Sequence, residues 1–568
     1  MVSAGHPGWE HTEYVTDADP TDPNHVMVCS MRFSQEKNQL TTVVYVSFDG
    51  GRSWTLGYDD SSSRFAGVWD PACAFGVNRH AFFLTLVQLD SVLDDKRSLR
   101  LYGSNDGGRK WESLNRLATI DRPNLTIDRT DGHYRGRMYL YGDPSAGDPK
   151  MTLMYSSDGG RTWIRSETEG QESMKEWGAG TILPNGILLL PYVLNNETQL
   201  AIAASTDGGA HIGPPSTVPQ WRGCGGFATM ASDDSSGQFR GRAFVAWSGL
   251  HHGRCAAFVS YSDDQGKAWS IPIRASDASP QQPLQSHASE RLMPSIAVNK
   301  NGILGLAWYD LEEKATAPRY RLRFSASLDG GETWLRSVAV STHAFIIKYP
   351  PEFSAQAIVT GGGRRRQKER SDEVDLWVWP SARNAYAWNT WPGDYAVSIS
   401  AAADGKFQAF WIDNRTRTGE LHTARVTVNG VIPRLCGQEL NARENITSAL
   451  EVQYTSSVWN PRTKTVSLQY QLLNTSRDTI DGPLKMRIVQ LESDLGVPTV
   501  VFANGRNGGA GTVLDLLRAI PPSGLGPGQT SLPQRLLVKF DHVKQLRRID
   551  QRDVVHMKVK VYGRRRST

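Results

Sequence analysis

The stretch Ser47-Phe-Asp-Gly-Gly-Arg-Ser-Trp54 decides the fold, because the same pattern returns along the chain. Further copies of Ser-x-Asp-x-Gly-x-x-Trp begin at Ser104, Ser156, Ser262 and Ser327. A sixth copy without the tryptophan, Ser205–Ile212, lies midway between them. A pattern that recurs at near-regular spacing is the mark of a repeat architecture, in which each repeat is one small structural unit. These six segments are called the repeat turns below.

Each repeat turn has the chemistry of a tight connection that ends in a buried ring. Aspartate accepts hydrogen bonds from backbone N–H groups a few residues further on, and glycine adopts positive φ readily. Tryptophan then buries a large ring where the next strand begins. Strands with period-2 alternation precede the copies, as in Thr42–Val46 and Arg321–Ser325. We therefore predict that each repeat turn joins the third and fourth strands of a four-stranded unit. Its aspartate is expected to close the turn rather than to bind a metal or ligand.

These segments are Asp-boxes, also called BNR repeats, and the chain resembles the sialidase-like β-propeller superfamily from about residue 10 to 430. Six units with a box begin near residues 13, 69, 122, 177, 223 and 291, and a seventh without a box begins at Gly393. We predict a seven-bladed propeller, with the six-bladed sialidase type as the alternative. The N-terminal segment is expected to supply the fourth strand of the last unit, because ring closure removes an exposed sheet edge.

The character of the chain changes after about residue 433. No repeat turn follows, and alternating segments such as Thr465–Tyr470 and Leu484–Val489 are separated by Gly and Pro. This pattern predicts an immunoglobulin- or fibronectin-like β-sandwich. The predicted domains are a propeller over residues 1–432 and an accessory sandwich over residues 433–568. A spacer role, cohesion with the propeller and carbohydrate binding are its alternative roles.

Composition excludes several classes of protein. The chain has 63 Lys and Arg against 58 Asp and Glu, which is too balanced for nucleic-acid binding over the whole surface. No stretch reaches the ~18 apolar residues of a membrane span. The five cysteines form no Cys-x-x-Cys pair, so neither a zinc site nor another cofactor is expected. No leader of basic and then apolar residues follows Met1. A secreted or periplasmic protein whose signal peptide is absent from this chain is predicted, and a cytoplasmic protein is the alternative.

Propeller geometry predicts where a site would lie. Loops that lead into first strands and out of second strands meet around the channel, at the end opposite the repeat turns, and a ligand is expected there. Charged and aromatic residues crowd these loops. The loops into first strands hold Asp70, Asp121, Arg122, Glu176, Trp177, Arg222, Glu290, Arg291, Asp394 and Tyr395. The loops out of second strands hold Arg32, Asp143, Tyr192, Trp247, Tyr309, Asp310, Asp413 and Arg415. Such a set suits a glycan or another polar or anionic small substrate, because arginine grips carboxylates with two hydrogen bonds. Alternatively, Asp–Arg pairs satisfy one another around a wet channel.

The predicted function is glycoside hydrolysis at this channel mouth. Two of the carboxylates would act as acid and base or nucleophile, drawn from Asp70, Asp121, Glu176, Glu290, Asp310 and Asp394. The sialidase resemblance implies a tyrosine nucleophile and three arginines that hold the substrate carboxylate. From their expected positions around the channel, the candidates are Tyr309 or Tyr395 and the triad Arg122, Arg291 and Arg415. Arg32, Arg222, Trp177 and Trp247 complete the expected substrate contacts. The [FY]-R-I-P motif of that family is absent, and Arg32 lies instead in Ser30-Met-Arg-Phe33. The alternative function is a non-catalytic propeller that binds glycan or protein.

Overall fold

The computed structural model describes residues 1–34, 39–60, 65–89, 97–144, 152–168, 174–175, 178–194, 199–224, 227–251, 254–276, 292–312, 319–345, 396, 398–416, 418–429, 443–493, 496–501, 507–516, 518–541, 543 and 555–566. These residues form β-strands and one 3-10 turn, Thr447–Ala449, with no α-helix in the described ranges. The prediction of an all-β protein is confirmed. In the same part of the chain, no helix is long and apolar enough to cross a membrane.

The described chain divides into two compact units. Unit 1 comprises Met1–Ser276, Pro283–Ala326 and Arg336–Asn429, and unit 2 is built mainly from Ser327–Leu335 and Gly430–Thr568. In unit 1, seven sheets follow one another along the described chain.

The first three sheets have four strands each, paired in chain order. The first sheet contains β1 (Glu10–Ala18), β2 (Val26–Ser34), β3 (Gln39–Ser47) and β4 (Thr55–Asp59). The second contains β5 (Phe65–Phe75), β6 (Ala81–Leu89), β7 (Arg97–Ser104) and β8 (Glu112–Leu117). The third contains β9 (Ile120–Ile127), β10 (Met138–Pro144), β11 (Thr152–Ser156) and β12 (Ile164–Arg165). The short strand β13 (Glu167–Thr168) pairs separately, with β18 (His211–Ile212).

The remaining sheets of unit 1 repeat the arrangement with local variations. The fourth contains β14 (Met174–Lys175), β15 (Thr181–Ile182), β16 (Leu188–Leu194), β17 (Leu200–Ser205) and β19 (Ser216–Thr217), with β18 (His211–Ile212) beside it in sequence. The fifth contains β20 (Thr229–Ser232), β21 (Ala243–His251), β22 (Arg254–Ser262) and β23 (Ile273–Arg274). The sixth contains β24 (Ser295–Val298), β25 (Leu304–Glu312), β26 (Arg319–Ser327) and β27 (Val338–Ala339). The seventh contains β28 (Ile399–Ala401), β29 (Phe407–Asp413) and β30 (Glu420–Val426).

The repeat turns close as their sequence predicts. In the first copy, between β3 and β4, the Ser47 hydroxyl donates to Asp49 Oδ1 at 2.9 Å and accepts the Gly51 N–H at 2.8 Å. The Arg52 N–H also donates to Asp49 Oδ1. The Trp54 indole N–H donates to the Gly51 carbonyl at 3.2 Å, and Gly51 has a φ of 84°. The aspartate is therefore fully used by its own turn.

Neighbouring sheets of unit 1 pack through their first strands. β1 packs against β5, β5 against β9, β20 against β24, and β24 against β28. β28 packs in turn against β1, so the last sheet lies beside the first. Between the third and fourth sheets, Tyr139 and Tyr141 share one core cluster with Ile182 and Leu190, and β15 contacts β20. The first strands therefore surround one central space.

The N-terminal segment lies against the last strand of the seventh sheet. The Val2 N–H donates to the Leu421 carbonyl at 2.8 Å, and the His11 N–H donates to the Gly419 carbonyl at 2.8 Å. Ser3 Oγ accepts the Leu421 N–H. The expected fourth strand is therefore replaced, among the described residues, by an irregular segment that still covers the edge of β30.

Unit 2 contains two antiparallel sheets. One orders β31 (Glu444–Asn445), β39 (His556–Arg566), β34 (Thr479–Glu492) and β37 (Val513–Leu516). The other orders β32 (Leu450–Asn460), β33 (Thr465–Asn474), β38 (Gln534–Asp541), β35 (Val497–Val501) and β36 (Asn507–Gly508). Their inward side chains form one apolar core, which includes Leu472, Met486, Val538 and Val561.

The cysteines fall into two groups. Cys224 and Cys255 form a disulfide, while Cys29 and Cys73 are buried free thiols between the first two sheets. Cys436 lies outside the described residues. Within the described chain, no cluster of His, Cys, Asp and Glu could hold a metal ion.

Candidate functional site

Two matching distortions carry the predicted residues at the end of unit 1 opposite the repeat turns. In β5, the pairing with β6 moves from Trp69–Leu86 to Ala72–Leu84, so Asp70 and Pro71 oppose one residue. In β9, the pairing moves from Asp121–Asp143 to Asn124–Tyr141, so Arg122 and Pro123 oppose Gly142. Both are β-bulges, which turn a side chain out of its regular direction. Proline is tolerated at a bulge because it needs no ladder hydrogen bond there.

Asp70 and Arg122 each have a φ of 49°, the left-handed region that non-glycine residues rarely adopt. Such a conformation costs roughly 1–2 kcal/mol per residue, so the surrounding structure must impose it. Gly142 is part of the reason why β9 can bulge. A Cβ at position 142 would lie 2.7 Å from the Asp121 carbonyl oxygen and 2.9 Å from that of Arg122.

The Asp70 carboxyl is buried beside a second carboxyl. Its residue is 8% exposed, its Oδ2 accepts the backbone N–H of Arg122 at 3.2 Å, and the Asp121 carboxyl is its neighbour. Burial, and next the negative charge of Asp121, raise the pKa of Asp70 to about 7. Asp70 therefore keeps its proton to a higher pH than an exposed aspartic acid does.

The Arg122 side chain is held between an acidic and an aromatic group. Its Nη1 lies 3.4 Å from Asp143 Oδ2, and its guanidinium carbon lies 5.4 Å from the centre of the Phe227 ring. Asp121 of β9 is paired with Asp143 of β10. Together with Asp70, these residues place three carboxyl groups near the Arg122 side chain. We call Asp70, Asp121, Arg122 and Asp143 the acidic cluster.

The acidic cluster adjoins a central cavity of about 420 Å³. All seven first strands contribute to its wall, through Val15, Ala74, Asn124, Thr181, Thr229, Ile296 and Ile399. Arg122 and Phe227 also line the cavity, whereas Asp70 is not a lining residue and is joined to the cavity wall by its bond to the Arg122 backbone. Deeper in the cavity, Tyr141 Oη accepts the Gly180 N–H at 2.7 Å and pairs with Thr126 Oγ1 at 3.1 Å. The wall is therefore a mixture of small, polar and apolar groups with three cationic residues, Arg122, Arg129 and Lys300.

Three predicted site residues lie in the interior instead. Arg32 is 1% exposed, and its guanidinium donates to Asp59 at 2.6 Å and covers the Trp9 ring. Tyr309 is fully buried, and its hydroxyl bonds to that of Tyr14 at 2.6 Å. Burial raises the pKa of Tyr309 well above its usual range. Trp247 is 3% exposed and stacks on Phe258. Strand alternation turned these three side chains toward packing partners rather than toward the cavity.

Other predicted residues form local pairs or remain on the surface. Arg415 Nε lies 2.9 Å from Oδ1 of the buried Asp413, and Arg323 Nε lies 3.6 Å from Asp310 Oδ2. Arg222 is exposed, and Tyr192 is buried in the core between the third and fourth sheets. None of these residues belongs to the acidic cluster.

The remaining predicted residues lie outside the described residues: Glu176, Trp177, Glu290, Arg291, Asp394 and Tyr395. The structure therefore brings together Asp70, Asp121, Arg122 and Asp143 from the predicted set.

The structure also adds residues that the sequence did not single out. Phe227 and Asn124 line the cavity, and Glu13 and Met293 share the left-handed backbone, with φ values of 46° and 45°. A signal for the bulges exists in the sequence. Asp70-Pro71 and Arg122-Pro123 lie within first strands, Met293-Pro294 lies just before β24, and each places proline after a residue with positive φ. Glu13 lacks this proline.

Comparisons with known proteins give structural neighbours only. No protein-family model matches the sequence, and no curated protein matches it. The intramolecular trans-sialidase of Ruminococcus gnavus aligns with a TM-score of 0.39 and 14% identity, over 52% of this chain and 89% of that one. The leech intramolecular trans-sialidase aligns with a TM-score of 0.39 and 12% identity, over 52% and 64% of the two chains. The alpha-L-arabinanase of Penicillium chrysogenum gives 0.36 and 13%, over 63% and 93%.

Proposed function

We propose that this protein is a glycoside hydrolase whose proton donor is the Asp70–Asp121 pair. The observation that supports the proposal is a buried carboxyl pair, held by a strained backbone beside Arg122 at the wall of a central cavity. Backbone strain at one position in neighbouring strands is costly, and such strain is concentrated at functional sites.

The chemistry of glycoside cleavage matches what this pair can do. The leaving oxygen of a glycoside must be protonated as its bond to the anomeric carbon breaks, so the acid must carry its proton at the working pH. A pKa of about 7 at Asp70 meets that requirement, whereas an ordinary exposed aspartic acid is ionised. Asp70 supplies the acid and Asp121 helps to raise its pKa, so the second catalytic group must come from elsewhere in the site.

A glycan is the substrate class that the surroundings suit best. Arg122 and Asn124 offer hydrogen-bond donors, and Phe227 offers an aromatic face against which a sugar ring can stack. The resemblance of the repeat turns to those of sialidase-like proteins supports the same class. The acidic cluster disfavours a polyanion such as nucleic acid.

We also propose the number of propeller blades, the type of the C-terminal domain and the compartment of the protein. The seven sheets, each packed on the next, support a seven-bladed propeller over residues 1–432, and the two sheets with one core support a β-sandwich over residues 433–568. The Cys224–Cys255 disulfide supports a secreted or periplasmic location, because such bonds persist in oxidising compartments.

A substrate screen followed by one substitution tests the proposal. The full chain would be assayed against 4-methylumbelliferyl glycosides of neutral sugars and of sialic acid, and against plant and animal polysaccharides by release of reducing ends. For each substrate that is cleaved, Asp70→Asn should lower kcat/KM at least about 100-fold. Asp131→Asn is the matched control, since Asp131 is a fully exposed aspartate that pairs with Arg135 at the surface.

Two outcomes would overturn the proposal. The first is full turnover by Asp70→Asn when the protein cleaves a glycoside. The second is retention of glycans by immobilised protein without turnover of any of them, which would identify a binding protein.

A further inference from the structure

The first strand of the first sheet carries the same distortion as the strands of Asp70 and Arg122. In β1 the register against β2 shifts between Thr12 and Tyr14, and Glu13 is the extra residue. Its φ of 46° matches the 49° of Asp70 and of Arg122. Glutamate has no local reason to adopt this conformation, since the left-handed region is favoured by glycine and, to a lesser extent, by Asn and Asp. The fold therefore imposes the bulge on Glu13.

The position of Glu13 in the sheet order brings it to the same end of unit 1. Glu13, Asp70 and Arg122 each lie five residues before the last residue of their first strand, and these strands end at Ala18, Phe75 and Ile127. β1 packs against β5, which carries Asp70, and β5 packs against β9, which carries Arg122. Glu13 is 4% exposed, so its carboxyl group is enclosed by the protein as that of Asp70 is. Glu13, Asp70 and Arg122 therefore lie at the same level in three successive first strands.

We propose that Glu13 acts together with the acidic cluster as the base of the hydrolysis. This inference rests on the proposed function. It supplies the second catalytic carboxyl group that hydrolysis needs besides the Asp70–Asp121 pair. Hydrolysis by two carboxyl groups needs one that gives a proton to the leaving oxygen and another that acts at the anomeric carbon. The Asp70–Asp121 pair performs the first role only.

The proposed hydrolysis proceeds in one step. Water attacks the anomeric carbon and gives one proton to the Glu13 carboxylate, while the bond from that carbon to the leaving oxygen breaks. The leaving oxygen receives the proton of Asp70 and departs as an alcohol. Glu13 then returns its proton to solvent and Asp70 regains one, so the net change is addition of one water across the glycosidic bond.

The dependence on leaving group separates the two roles. For the glycoside found in the screen, kcat/KM would be measured with aryl leaving groups of different acidity for wild type, Glu13→Gln and Asp70→Asn. Glu13→Gln should lose at least about 100-fold with every leaving group, because water activation is needed for all of them. Asp70→Asn should lose least with the most acidic phenols, since those leave without protonation.

A second variant guards against a folding defect. Glu13→Gly suits the positive φ and vacates the side chain, so formate supplied in solution can take the place of the carboxylate. We expect formate to restore at least about tenfold of the activity lost by Glu13→Gly and none of that lost by Glu13→Gln. Thermal unfolding of both variants would accompany the assay.

Three results would decide against Glu13 as the base. They are wild-type turnover by Glu13→Gln, a loss in that variant that vanishes with acidic leaving groups, and no rescue of a folded Glu13→Gly. If Glu13→Gln is active while Asp70→Asn is not, only this inference fails. If Asp70→Asn is fully active, the proposed function itself fails.

Discussion

The backbone N–H of Arg122 donates a hydrogen bond of 3.2 Å to Oδ2 of Asp70, and so joins the bulges of two neighbouring first strands. Both residues have left-handed backbone. A carboxylate that accepts such a bond is stabilised in its ionised form, yet burial and the charge of Asp121 act in the opposite direction and prevail. The pKa of Asp70 therefore results from opposing effects, and single substitutions can shift it.

Substitution of the partner carboxyl should move the working pH. Asp121→Asn removes the negative charge that raises the pKa of Asp70, so the acid should lose its proton at lower pH. We expect the alkaline limb of the pH profile of kcat/KM to move down by about 1 pH unit or more. The profile would be measured for wild type and variant on one substrate, and an unchanged limb would show that Asp121 does not tune the acid.

Asp70 should lower the stability of the folded protein at alkaline pH. Its pKa is about 7 in the folded protein and close to 4 in an unfolded chain, so folding takes up a proton between these values. Stability from this group is present below about pH 4 and is lost as the pH rises to 7. Asp70→Asn has no such loss. Its Tm should therefore exceed that of wild type at pH 8, with the difference shrinking toward pH 4, while Asp131→Asn matches wild type throughout.

The bulge in β9 should depend on Gly142. An added methyl group would meet two backbone carbonyl oxygens within 3 Å, so Gly142→Ala should lower the free energy of unfolding by about 2 kcal/mol and reduce kcat. Gly5→Ala is the matched control, because a Cβ at position 5 has no atom within 4 Å. Chemical denaturation and kinetics of the two variants would be compared. Equal stability would mean that β9 tolerates a different register.

Tyr309 should be dispensable for catalysis. Its hydroxyl is buried, where it bonds to the Tyr14 hydroxyl and accepts the backbone N–H of Ile412. It does not line the cavity. Tyr309→Phe should reduce the free energy of unfolding by about 1 kcal/mol, through the lost hydrogen bonds, and should leave kcat within about fivefold of wild type. Loss of all turnover in a folded variant would restore Tyr309 as the nucleophile that the sialidase resemblance implies.

The repeat turns should affect stability without affecting chemistry. Trp269 is 8% exposed within the core of the fourth and fifth sheets, and its indole N–H donates to Ser216 Oγ. Trp269→Ala should cost about 3 kcal/mol of unfolding free energy. The value of kcat at 25 °C should stay near wild type, because the turn lies at the end of the sheets opposite the acidic cluster. Trp163, which is partly exposed, should cost less when replaced by alanine.

The sequence predicts the repeated four-stranded units well because the turn chemistry is local. Ser47, Asp49 and Gly51 bond within a few residues of one another, so their spacing alone identifies the turn. It assigns Asp70 and Arg122 to loops that lead into first strands, whereas the structure places them in bulges within β5 and β9.

The direction of the predicted site side chains depends on partners that are distant in sequence. The sequence was therefore less informative about these directions than about the repeat turns. Arg32 turns to Asp59 on another strand, and Tyr309 turns to Tyr14 on another sheet. No local pattern encodes such pairs. Glu13 was missed for the converse reason: its bulge arises within an ordinary alternating strand and has no proline to mark it.

The protonation state of Asp70 tests the central claim most directly, and it needs no known substrate. Infrared difference spectra between wild type and Asp70→Asn would be recorded from pH 5 to pH 9, in the region of the protonated carboxyl C=O stretch. We predict a protonated carboxyl band that is present at pH 5, is assigned to Asp70 by its absence in the variant, and disappears with a midpoint near pH 7. A carboxyl that is already ionised at pH 5 would contradict the account.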